Sequence, residues 1–173
     1  YDSVKDKHRS GLRRFFEREI FPILTPLAFA PGHPFPHISN LSLNLAIVLK
    51  DPRRGERFAR LKVPGTFPRL LPVPNDDDEG LHKIGLKTHA PRRFLWCEEM
   101  IRANLDMLFP GYQVEESFLF RVTRDADIEI EEDEADDLLE SIQEGIDRRR
   151  FGSVVRLELE QDAPKRIRDI LTR

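Results

Sequence analysis

From Leu41 to Leu49 a leucine or isoleucine stands at every second position, at Leu41, Leu43, Leu45, Ile47 and Leu49, with Ser42, Asn44 and Ala46 between them. Side chains alternate across a β-strand, so this period puts five apolar groups on one face and predicts a half-buried strand. Alternation returns within 57–63, with Phe58 against Arg57 and Ala59 and then Leu61 and Val63 against Arg60 and Lys62, in Phe118, Phe120 and Val122, and in Val155, Leu157 and Leu159. In the third of these runs Phe118, Phe120 and Val122 point inward and Arg121 outward. The turn-forming stretch Asp51 to Gly55 joins the first two runs as a predicted hairpin. Phe94 to Trp96 is a further short strand.

Helical spacing occupies the gaps. Leu12, Phe15, Phe16, Glu19 and Ile20 place a helix between Ser3 and Leu24, ended by Pro22 and Pro26. Ile101, Leu105 and Leu108 place one from Glu98 to Phe109, with Met100 and Met107 at its edge and Pro110-Gly111 as its stop. Ala135, Leu138, Leu139, Ile142 and Ile146 place another from Asp133 to Arg149. Its acidic first turn and its Arg148, Arg149 and Arg150 match the helix dipole. Asp162 to Pro164 opens a last helix that turns Ile167, Ile170 and Leu171 inward. The expected fold is therefore α+β, a mixed β-sheet covered by helices in a single domain.

Two regions resist assignment. Phe29 to His37 is a proline-broken loop, and Pro64 to Pro74 is proline-rich and leads into the acidic loop Asn75 to Glu79. The prolines also interrupt Ile20 to Pro31, the most apolar stretch, which is far shorter than the roughly 20 residues a membrane helix requires. No membrane span is expected. With 28 basic against 31 acidic residues, no nucleic-acid partner is expected either. Cys97 is the sole cysteine, so no internal disulfide forms. The chain opens on Tyr1, has no signal layout, and reads as a piece cut from a longer cytoplasmic protein.

Motifs for chemistry are scarce. Neither GxxxxGK[ST] nor GxGxxG occurs, and Ser39, Ser42, Ser117 and Ser141 lie in no nucleophile elbow. Cys97 reads as a half-buried thiol at a strand-to-helix junction. His33 and His37 are four apart in a broken loop, a setting for packing or interface groups more than for zinc ligands. Asp125, Asp127, Glu129 and Glu131 alternate along one strand face. They could bind Mg²⁺ or Ca²⁺, yet a solvated strand face explains them equally. Arg121 and Arg124 precede that row and Arg148 to Arg150 follow its helix. Their planar forks suit phosphate or carboxylate oxygens, and local salt bridges are the plainer use.

Longer strings carry a family likeness. FRVTRDADIEIEEDEADDLL (120–139) resembles a run in the middle of bacterial polyphosphate kinases of the large, histidine-phosphorylating type. So do FPILTPL (21–27), HPFPHISNLSLNL (33–45), RLKVP (60–64), IRANLDMLFPG (101–111) and RRFGSVVR (149–156). The resemblance runs from about Phe15 to about Glu160 and is thin between Thr66 and Arg93. It implies an enzyme that passes the terminal phosphate of ATP to polyphosphate through a phosphohistidine, with Mg²⁺. This chain would be its middle, or head, domain over 25–173, and 1–24 the tail of a preceding helical domain. On that basis no catalytic, cofactor or metal residue is expected here, since ATP and Mg²⁺ belong to other domains of the parent. The implied partners are those domains, a homo-oligomer subunit and inorganic polyphosphate. The implied role is assembly and shaping of the polyphosphate passage. Arg121, Arg124, His33 and His37 are the candidates for interface or polyphosphate contact. Two alternatives stand beside it: a polyphosphate-binding module using Arg121, Arg124 and Arg148 to Arg150, and a metal-binding regulatory domain on the acid row.

Overall fold

The structure, a computed structural model, describes residues 1, 4, 6–29, 36–73, 93–125 and 152–172. The expected helix Asp133 to Arg149, the strand continuing past Asp125, the 75–90 segment, His33 and Arg148 to Arg150 lie outside the described residues.

Among the described residues the strands hydrogen-bond in the order β1-β3-β2-β6-β7, and β4 and β5 form a separate two-stranded sheet. The strands are β1 Leu27–Phe29, β2 Leu43–Asp51, β3 Gly55–Lys62, β4 Leu70–Val73, β5 Arg93–Trp96, β6 Gln113–Arg124 and β7 Val154–Leu159. The helices are α1 Asp6–Phe15, α2 Cys97–Arg102, α3 Leu105–Leu108 and α4 Lys165–Leu171. The β1–β3, β4–β5 and β6–β7 pairs are all antiparallel. This is the expected α+β class. The chain divides into two compact units, one of Tyr1–His33 with Leu45–Ser117, the other of Pro34–Asn44 with Phe118–Arg173.

In the first unit α1 runs into a π turn over Phe16–Ile20 and a 3₁₀ turn over Phe21–Ile23. His8, Leu12, Phe16 and Ile20, each four residues apart, are the described residues this segment buries. Pro22 sits in the first positions of the 3₁₀ turn, and Leu24 then turns extended. The strand β1 follows directly, which the proline-broken sequence does not announce. It is short, lies at a sheet edge, and stacks Phe29 on Phe58 across the pair at 6.2 Å between ring centroids.

The alternation in β2 correctly marks a strand but not its setting. Ala46 and Val48 are as buried as Leu45, Ile47 and Leu49, so β2 is covered on both faces, as its central place in the sheet allows. The turn after it is as expected: the Asp51 carboxylate accepts from the amides of Arg53 and Arg54 at 2.8 and 3.2 Å. Gly55 takes the left-handed φ of +76° that this turn needs. Arg60, expected on the polar face of β3, is buried, and burial pushes its guanidinium pKa down.

The single helix expected over Glu98 to Phe109 is broken. Asn104, between α2 and α3, leaves the helical region at φ −126° and turns its side-chain amide back to the Met100 carbonyl at 2.8 Å. A short polar side chain that replaces a helical backbone bond in this way ends the helix locally. Met100 is fully buried there, not at an edge. Pro110 and Gly111 do end the segment, with Gly111 at φ +85°.

In the second unit Phe118, Phe120 and Val122 are buried along β6 and Arg121 faces out, the predicted register. Their expected partners Leu138, Leu139 and Ile142 lie outside the described residues. Strand β7 pairs with β6 through Phe120↔Leu159, Arg121↔Glu158, Val122↔Leu157 and Thr123↔Arg156. Among the described residues it is an edge strand, and its Val154 and Val155 are exposed, so its apolar alternation marks the strand without marking core. Leu41 is also exposed, ahead of β2 rather than on its inner face. It takes φ +57° in the turn after Ser39, and its amide donates to the Val122 carbonyl at 2.9 Å. Helix α4 buries Ile167.

Candidate functional site

The groups with chemistry to offer gather in the second unit, at the end of β6. Arg124 holds that end together. Its backbone amide donates to Asn40 Oδ1 at 2.8 Å, its Nε to the Ile38 carbonyl at 2.8 Å and its Nη1 to the Gly152 carbonyl at 2.7 Å. Its Nη2 lies 3.4 Å from His37 Nδ1. A guanidinium has no lone pair to give, so the imidazole nitrogen accepts in that contact. Ile38 is buried beneath, and the Asp125 amide donates to the Ser153 carbonyl at 2.8 Å. One side chain thus ties the 37–40 segment, β6 and the approach to β7.

Arg121 points to the other face. Its Nε donates to Glu158 Oε2 at 2.5 Å across the β6–β7 pair, and Arg156 Nη2 donates to Glu158 Oε1 at 3.0 Å. The hydrogen bond from Arg121 is the main reason the Glu158 carboxyl is held below its ordinary pKa, and the same bond raises that of Arg121. Both charges are exposed to solvent, so the pair orders the face more than it stabilises the fold.

Of the candidates read from the sequence, the structure brings Arg124 and His37 together, gives Arg121 a partner on β7 and places His33 outside the described residues. Arg156, Asn40 and Gly152 were missed. Arg156 and Glu158 do carry a signal, opposite charges two apart on a strand, and so on one face. Nothing in the sequence tells that Arg124 folds back on carbonyl oxygens 86 and 28 positions away.

Nucleophile chemistry finds no support in the described groups. Cys97 stands at the junction of β5 and α2 as expected but is fully buried rather than half-buried. Burial, with the neighbouring Glu98 charge, pushes its thiol up to about 11. The Ser42 hydroxyl donates to the Ser39 carbonyl at 2.8 Å, closing its own turn. Among the described residues no group of three histidines, cysteines or carboxylates could hold a metal ion. None of the described helices is long and apolar enough to cross a membrane.

The family model described as polyphosphate kinase middle domain matches residues 7–173. The polyphosphate kinase of Synechocystis is 50% identical over 174 residues, which cover 99% of this chain and 23% of that protein. Polyphosphate kinase 1 of Chlorobaculum tepidum is 48% identical over 172 residues, covering 99% of this chain and 24% of that protein. The crystal structure of the polyphosphate kinase from Porphyromonas gingivalis aligns with a TM-score of 0.68 at 26% identity, over 97% of this chain and 22% of that one. The chain therefore spans about a quarter of the length of these relatives. Agreement in sequence and in fold across nearly its whole length shows that the chain belongs to the polyphosphate kinase middle-domain family.

Proposed function

We propose that this chain serves as the non-catalytic middle domain of a cytoplasmic polyphosphate kinase, the enzyme that extends polyphosphate with the terminal phosphate of ATP. In this reading residues 25–173 are the middle domain and 1–24 the end of a helical domain before it. The chain helps hold the subunits of a homo-oligomer together and shapes the passage for polyphosphate. Among the described residues no three histidines, cysteines or carboxylates gather as a metal site, and this reading routes no step of the transfer through the chain. ATP, Mg²⁺ and the phosphorylated histidine are assigned to the remaining three quarters of the enzyme.

The observation that carries the reading is the use made of Arg124. The basic group closest to the acid row gives its donors to the chain's own carbonyls and to His37, and so fixes a surface rather than offering a free fork to an anion. That surface, with Arg121, Arg124 and His37, is the proposed subunit contact. A second reading, direct contact with polyphosphate, draws on one feature: Arg121 and Arg156 come together on one face, where they share the Glu158 carboxylate.

The full-length enzyme carrying both Arg121→Gln and Arg124→Gln separates the two. The scaffold reading expects a smaller or less stable oligomer, with polyphosphate affinity unchanged in the fraction that assembles. A loss of affinity of about tenfold or more at unchanged mass, the loss of one charge-assisted contact, would favour the polyphosphate reading instead.

A further inference from the structure

In the first unit the β4–β5 ribbon buries one face and leaves the other open. Its register pairs Leu70 with Trp96 and Pro72 with Phe94 on one side, and Leu71 with Leu95 on the other. Leu71, Val73 and Leu95 are buried, whereas Leu70 is 45%, Phe94 55% and Trp96 46% exposed. Period two puts the exposed three together, with Pro72, on a single face. Large apolar groups collected at one place, rather than scattered, mark an interaction site.

That face is also held rigid. The Arg69 guanidinium lies 4.8 Å from the centre of the Trp96 ring. It is fixed there by two donations, from Nε at 2.8 Å and Nη2 at 2.6 Å, to Glu98 Oε1. The Glu98 side chain is itself buried. A cation stacked on an indole and anchored by a buried carboxylate holds the ring before any partner arrives, and tryptophan is among the residues enriched at interface hot spots.

Size decides the occupant. A half-exposed aromatic ring offers on the order of 100 Å², so this face presents a few hundred Å². A free protein–protein contact needs roughly 800 Å² on each partner. A second copy held by this face alone would not stay bound. A part of the same polypeptide, tethered at high effective concentration, needs far less, and about three quarters of the length of the relatives lies outside this chain. We infer that the Leu70–Phe94–Trp96 face of the β4–β5 ribbon is the docking surface for an apolar segment elsewhere in the same polyphosphate kinase polypeptide. The inference rests on the proposed function only in taking this chain to be part of that longer enzyme.

The test uses the full-length enzyme with the photoreactive residue p-benzoylphenylalanine in place of Phe94, and in a control in place of Tyr112, which is also exposed. On illumination the Phe94 probe should cross-link several-fold more than the control. The product should run at single-chain mass and map to a peptide outside these 173 residues. A product of doubled mass would assign the face to a second subunit and overturn the inference. Cross-links confined to this chain, or a yield no higher than at Tyr112, would overturn it too. Polyphosphate synthesis by the unsubstituted enzyme is measured alongside. Its absence would defeat the proposed function while the cross-linking result stood by itself.

Discussion

Arg121 and Arg124 stand three positions apart on one strand, yet their environments predict different costs of removal. Arg124 donates to two backbone carbonyls in part-buried settings, and glutamine is too short and uncharged to replace it. Charge-assisted bonds of this kind are worth about 1.5–3 kcal/mol, so Arg124→Gln should lower the melting temperature of the isolated chain by several degrees. Arg121 makes an exposed pair with Glu158, and Arg121→Gln should melt close to wild type. Equal melting of the two variants would show that Arg124 does not hold the 37–40 segment. The sequence marked both arginines as candidates but could not rank them, because the ranking depends on distant carbonyls. Cys97 offers a second check. A buried thiol with its pKa raised to about 11 holds little thiolate at pH 8, so iodoacetamide should label it only as fast as the chain opens. Labelling at the rate of a free thiol in native buffer would contradict its placement.

At the scale of elements, apolar periodicity located strands well and their surroundings poorly. The run 41–49 announced β2, but Ala46 and Val48 proved as buried as the leucines, because a central strand is covered on both sides and small or branched residues suffice there. In β7 the same period announced a strand whose valines face solvent. Period two reports alternation, and neighbours decide what each face meets. The short strands β1 and β4 lay among prolines and gave no periodic signal at all. The break at Asn104 was hidden because Ile101 and Leu105 keep helical spacing across it. The β6 register was legible, since Phe118, Phe120 and Val122 flank an outward arginine. Phe120→Ala should therefore cost about 3–5 kcal/mol, read as a large fall in the denaturation midpoint, whereas Val155→Ala on the exposed edge should change it little. A Phe120→Ala protein melting within a degree of wild type would show that the β6 register is wrong.

For the whole molecule, the family could be read from long strings of residues, and the fold class from the mixture of two periods. The arrangement of the candidate site could not, because Arg124 joins His37, Ile38, Asn40 and Gly152 only once the chain has folded. On the proposed reading, this chain serves phosphate transfer without performing it. The direct measurement is to incubate the purified chain with γ-³²P-labelled ATP and Mg²⁺ beside the full-length enzyme, and to follow acid-labile label on protein and labelled polyphosphate in solution. Both products are expected from the full-length enzyme and neither, above a heat-killed control, from this chain. Label on a histidine of the isolated chain, or polyphosphate made by it, would contradict the account.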